Sequence, residues 1–156
     1  MIDRQHIGYQ TTATAVQVDP WRVRLFCQAI GETNPVHWDP AAAAEQGHAA
    51  PLVPPTFLKA LESDHCSSAL LLQRLNVPMQ QVLHAEQRFS FHHPVLVGDV
   101  LEISRQITDL YDKRNGALQF IVVNTHFCRA GKRVAEGAQT ILVRRPAQAP
   151  AAKVAA

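Results

Sequence analysis

A chain of 156 residues, 47% hydrophobic and 18% charged, has the length of one domain and the composition to bury a core without disulfide or metal staples. Its formal net charge of +2, with the basic residues scattered, gives no nucleic-acid footprint. Three widely spaced cysteines, Cys27, Cys66 and Cys128, show no metal-ligand spacing and read as thiols of a reducing compartment; with no apolar run long enough for a signal peptide or a membrane span, we expect a cytoplasmic protein without metal or cofactor.

Tyr9 to Val18 reads as a strand. Asp19-Pro20 then predicts a helix start, Asp as N-cap and Pro in the first turn, and the helix runs to Ile30, where Gly31 caps it and Pro35 forbids continuation. Its apolar positions Trp21, Leu25, Ile30 and Val23, Phe26, Cys27 predict a wide packed face. Asp39-Pro40 repeats the start signal for a short helix, Ala41 to Gln46, closed by Gly47. Pro51, Pro54 and Pro55 exclude regular structure over residues 49–55, which must be a loop or an extended arm. Thr56 to Ser63 reads as a helix with Phe57, Leu58 and Leu61 on one side, and Ser67 to Leu75 as another after a break at Asp64-His65.

From Val82 the pattern changes to strand. Val82-Leu83 with Phe89 and Phe91 form one segment, ending at a turn around His93-Pro94; Val100 to Tyr111, Ala117 to Cys128 and Arg133 to Arg144 follow as alternating or β-branched runs. Glycine-containing connections of hairpin length join them, so the second half is an antiparallel meander that the first-half helices can cover, an α+β domain over residues 1–145. The Ala/Pro-rich tail, Pro146 to Ala156, is expected to be disordered.

The most informative stretch is Gly31-Glu32-Thr33-Asn34-Pro35-Val36-His37. It places a carboxylate and an imidazole five positions apart around an Asn-Pro turn, a spacing that can build an acid/base pair. Glu32 is compatible with three roles: base, orienter of His37, or helix-terminal surface carboxylate. Asn34 is suited to closing the turn through its side chain.

These residues, with Ala50-Pro51-Leu52-Val53-Pro54-Pro55-Thr56-Phe57, Leu83 to Phe89 and His92-His93-Pro94-Val95-Leu96-Val97-Gly98-Asp99, resemble the MaoC-like dehydratases and (R)-specific enoyl-CoA hydratases, most closely their N-terminal-type subfamily. The resemblance runs from about Arg4 to Arg144. It implies the hot-dog fold, a curved antiparallel sheet wrapped around a central helix. It also implies water addition to, or removal from, an acyl thioester of CoA or acyl carrier protein. His37 would exchange the proton and Glu32 would stand where that family has an Asp; Asn34, Thr56 and Phe57 become substrate-binding candidates, though Thr56 and Phe57 can equally cap and pack their helix. A homodimer or a heterodimer with another hot-dog subunit is implied as well.

Two departures from the family pattern stand out. Glu is one methylene longer than Asp, which shifts the carboxylate by about 1.5 Å unless the turn retreats, an error that can cost about a hundredfold in rate. Where the hydratases place a His-Gly pair whose amides bind the thioester oxygen, this chain has Pro54 and Pro55, which have no N–H, so Thr56 N–H is the first donor available.

Two other readings compete: a binding subunit supporting a separate catalytic chain, and a thioesterase using Glu62, for which solvation near a helix end is the simpler explanation. His84, His92 and His93 read as half-exposed residues in or beside a strand, and Cys66 as a structural thiol rather than a nucleophile. Arg88, Lys113, Arg114 and Lys132 are the candidates to meet the phosphates of the thiol carrier.

Overall fold

A computed structural model describes residues 2–144; the expectation about the tail beyond Arg145 lies outside the described residues. Strand β1 (Thr14–Gln17) and helix α1 (Pro20–Ile30) come first, then a 3-10 turn (Pro35–His37) and the short helix α2 (Pro40–Glu45). Helices α3 (Phe57–His65) and α4 (Ser68–Arg74) precede four long strands, β2 (Val82–Phe91), β3 (Val100–Lys113), β4 (Leu118–Arg129) and β5 (Lys132–Arg144). The strands form one antiparallel sheet in the order β1-β3-β4-β5-β2, with register shifts in three of its four pairings, devices that bend and coil a sheet.

Local signals account for most boundaries. Asp19 Oδ1 accepts from Arg22 N–H at 3.0 Å to start α1, and Gly31, at φ 69°, ends it. Asp39 caps α2 and Ser67 caps α4 in the same way. Ala130 and Gly131, both at positive φ, make the two-residue turn between β4 and β5.

Helix α3 lies on the sheet with Phe57, Leu58 and Leu61 in one buried cluster that also takes Val23 and Cys27 of α1, Leu101 and Ile103 of β3, and Phe127 of β4. A second cluster gathers Leu71, Leu72, Ile107, Ile121 and Val143 around α4. Between them lies a charged layer. Glu62 and Arg105 are only 2% and 1% exposed, Arg105 Nε is 3.1 Å from Glu62 Oε1, and Lys59 Nζ is 2.9 Å from Glu62 Oε2 and 3.0 Å from Gln139 Oε1.

Three sequence expectations need correction. The strand read over residues 9–18 is a ladder only at Thr14–Gln17, with a single earlier bridge from Gln10 to Gln106, because the preceding residues pack as a 3-10 turn and loop. The packed face of α1 is narrower than its apolar pattern: Val23 and Cys27 are buried, whereas Trp21, Leu25 and Ile30 are exposed. Helix α3 does not break at Asp64-His65 but continues through His65, so Glu62 is not a solvated helix end; it lies on the buried face one turn beyond Leu58 and is held by two cations.

Candidate functional site

The end of α1 sets the position of Glu32. Gly31 N–H donates to Gln28 O at 3.2 Å and Glu32 N–H to Cys27 O at 2.9 Å, the paired bonds of a Schellman closure. That closure turns the chain sharply at Gly31, and Glu32 then folds its own side chain over the turn it precedes. Its Oε1 accepts from both Thr33 N–H and Asn34 N–H at 2.9 Å. Asn34 Oδ1 in turn accepts from Val36 N–H at 3.1 Å and starts the 3-10 turn that ends in His37. Asn34 is thus tied into the turn itself.

His37 is oriented by backbone. Its Nδ1 lies 2.8 Å from Leu52 O, and since a carbonyl only accepts, Nδ1 carries a proton, which in the neutral form of the ring leaves the lone pair on Nε2. Nε2 faces Glu32 Oε2 at 4.0 Å, too far for a direct hydrogen bond. One water can reach both acceptors at about 2.8 Å with an angle of about 90° at its oxygen, so the gap has the size of a shared water. The extra methylene of Glu is taken up by the fold of its side chain onto the Thr33 and Asn34 amides, which leaves Oε2 facing the ring. The Asn34 N–H first, then the Thr33 N–H, and the His37 ring when it carries a positive charge, hold the Glu32 carboxyl below its ordinary range, outweighing the opposite effect of desolvation.

Two cavities meet at His37. One, of about 380 Å³, is lined by His48, Leu52, Val53, Pro55 and Leu58 on one side and Phe91 to Val95 on the other, mostly apolar walls. The other, of about 250 Å³, is lined by Pro20, Trp21, Arg24, Trp38, Pro51 and Val97. His37 belongs to both.

The remaining candidates lie elsewhere. Phe57 is in the core, edge-on to Phe26 at 5.3 Å between ring centroids, and Thr56 is exposed, makes no side-chain cap and lines neither cavity. Pro55 occupies the cavity wall instead. Glu62, buried and neutralised by Arg105 and Lys59, has no free carboxylate to activate water, which removes the basis of the thioesterase reading. Burial pushes the Cys66 thiol up, away from nucleophilic character. Arg88 pairs with Glu86, and Lys113 lies over the stacked Tyr111 and Phe120 rings; neither these nor Arg114 and Lys132 line the two cavities.

Sequence reasoning missed Arg24, Trp21, Trp38 and His48 as cavity residues. Trp38 follows His37 directly, a signal that was available; the others reach the site only through the packing of α1 and of the segment after α2. Among the described residues no cluster of His, Cys, Asp and Glu has the geometry to hold a metal ion, and no helix is long and apolar enough to cross a membrane.

The family described as the FAS1-like, dehydratase domain region matches residues 5–137. A UPF0336 protein of a Parafrankia species is 31% identical over 135 residues, covering 86% of this chain and 88% of its own; UPF0336 proteins of Streptomyces avermitilis and Thermobifida fusca, 30% and 35% identical, are covered over 73% and 59% of their lengths. Among solved structures, a MaoC-like dehydratase superposes with TM-score 0.79 at 27% identity, covering 89% of this chain and 42% of that one. The C-terminally truncated HadBC (3R-hydroxyacyl-ACP dehydratase) complex of Mycobacterium tuberculosis gives TM-score 0.76 at 26% identity over 88% of this chain and 96% of that one. The fold is the hot-dog fold, with α3 as the helix against the sheet.

Proposed function

The chain belongs to the FAS1-like, dehydratase domain region family, and from that premise we propose that it is an acyl-thioester hydratase/dehydratase, adding water reversibly to a trans-2-enoyl thioester of CoA or of an acyl carrier protein to give the 3-hydroxyacyl thioester. The observation that carries this reading is the His37 ring, proton fixed on Nδ1 by Leu52 O and Nε2 turned to Glu32 at the shared wall of two cavities. In the hydration direction Glu32 Oε2 accepts a hydrogen bond from the water and His37 Nε2 takes its other proton as the oxygen bonds to C3. The π electron pair moves to C2 and the thioester oxygen, and the imidazolium returns the proton to C2. Water, double bond and proton are all accounted for, and His37 ends neutral. Dehydration reverses each step.

Under this reading the apolar cavity takes the acyl chain and the cavity with Arg24, Trp21 and Trp38 takes the arm of the thiol carrier. Thr56 N–H, at the start of α3, is the amide offered to the thioester oxygen in place of those that Pro54 and Pro55 lack. The test is loss of the enoyl-thioester absorbance with purified protein and crotonyl-CoA or crotonyl-carrier protein. His37→Ala is expected to lower kcat by at least about a hundredfold. No turnover of either thioester, or turnover unchanged in His37→Ala, overturns the assignment.

A second reading is favoured by one observation: Thr56 is exposed and lines neither cavity, and on this reading the donor to the developing oxyanion comes from a second chain. In that case the chain is the acyl-binding half of a hot-dog heterodimer whose other half completes the site. Turnover by an isolated homodimer defeats it; co-purification with a second hot-dog chain and activity only in the complex support it.

A further inference from the structure

We propose that Asp99, together with Arg129, is a positioning residue for His37, acting through the strap of residues 51–53. Asp99 Oδ2 accepts from Leu96 N–H at 2.8 Å and from Arg129 Nη1 at 2.6 Å, and the same Arg129 nitrogen donates to Pro94 O at 3.2 Å. Asp99 N–H closes back on Leu96 O at 3.1 Å, while Val18 N–H and Gly98 N–H tie the segment to the end of β1. Residues 94–99 are therefore a clamped turn, anchored to β4 by Arg129 and to β1 by backbone.

That turn is the rigid reference for the strap. Val53 N–H donates to Val95 O at 2.9 Å and Val97 N–H to Pro51 O at 2.8 Å, so Leu52 is bridged to Leu96 from both sides. With prolines at 51, 54 and 55 the strap has few backbone donors of its own, and its place is dictated by its two flanks. One flank is the site: Leu52 N–H donates to Val36 O at 3.0 Å while Leu52 O receives the His37 Nδ1 proton. The other is the turn that Asp99 clamps. Loosening that turn moves the Leu52 carbonyl off Nδ1, releases the ring to the tautomer protonated on Nε2, and covers the lone pair directed at Glu32.

The experiment reads the ring itself. Long-range proton–nitrogen NMR of the full chain labelled with 15N-histidine, His37 assigned with His37→Gln, is expected to give the Nδ1-protonated tautomer for the native protein. In Asp99→Ala the two tautomers mix. Resting on the hydratase reading, hydration kcat then falls about ten- to a hundredfold with KM within about twofold. Arg129→Ala, at the end of β4, shows the same change to a smaller degree, and Arg129→Lys restores the native tautomer; this pair carries the comparison if Asp99→Ala does not fold. A folded Asp99→Ala or Arg129→Ala protein whose His37 keeps the native tautomer overturns the proposal. A shifted tautomer in a protein that turns over no enoyl thioester supports the positioning role and refutes the reaction.

Discussion

The charged layer between the two apolar clusters makes an asymmetric prediction about stability. Glu62→Leu removes the carboxylate that pairs with Arg105, whose remaining contacts are long, Cys66 O at 3.3 Å and Ser68 Oγ at 3.4 Å, and whose Nε and Nη2 are buried with no hydrogen-bond partner among the described residues. A fully buried, uncompensated guanidinium is left behind, a loss of about 3–5 kcal/mol. Arg105→Met leaves Glu62 instead, and its carboxylate keeps the Lys59 ammonium at 2.9 Å, a cation that reaches partial solvent exposure. The expected loss there is about 1–3 kcal/mol. The double variant, which removes both charges and fills the space with apolar side chains, is expected to recover most of the Glu62→Leu loss, because it creates no unpaired buried charge. Urea unfolding followed by circular dichroism measures all three. For a domain of this size the Glu62→Leu loss corresponds to a drop in Tm of about 6–20 °C. If Arg105→Met is the more damaging single change, or if Glu62→Leu costs less than about 1 kcal/mol, the ion pair is not what compensates the buried guanidinium.

Two further outcomes follow from the turn around Glu32. Gly31→Ala forces a side chain into a left-handed residue at φ 69° and should cost about 1 kcal/mol in the same unfolding assay; since a Cβ there meets nothing within 4 Å, a larger loss would mean that backbone strain is not the cause. The Glu32 carboxyl is held down chiefly by the Asn34 N–H, so a carbon-13 titration of its side chain should show it ionised to a lower pH than an ordinary glutamate. The sign for stability is that of any depressed carboxylate: the contribution is present above the unfolded pKa and is lost as pH falls through the folded one. Asn34→Pro deletes that N–H and should move the titration back up; an unchanged midpoint would sink the assignment of cause.

What the sequence makes legible is what local chemistry dictates. Asp19-Pro20, Gly31, Asp39-Pro40 and Ser67 each signal a helix end through a bond to residues nearby, and each end falls within about two residues of its expected place. Glu32, Asn34 and His37 come together because one short turn carries all three. The misses have a common cause in tertiary contact. Nothing in the period of α1 tells that Trp21 and Leu25 face outward, because a wide apolar arc does not say which part meets the sheet. Glu62 looks like a helix-end carboxylate until β3 delivers Arg105 to it. The group that orients His37 is a backbone carbonyl, common to every residue type, and so carries no mark in the sequence at all.

The strap that supplies that carbonyl bears on how the chain can drift over evolutionary time. Its prolines, Pro51, Pro54 and Pro55, fall where no strap N–H is used, while Leu52 and Val53, whose N–H groups bond to Val36 O and Val95 O, are the two positions between them that are not proline. The carbonyl that orients the imidazole is present whatever side chain stands at 52, whereas proline at 52 or 53 deletes a bond that holds the strap in place. Inheritance at this site acts through which amides exist rather than through which side chains are kept, so a relative that differs at both positions retains the orienting carbonyl as long as neither becomes proline.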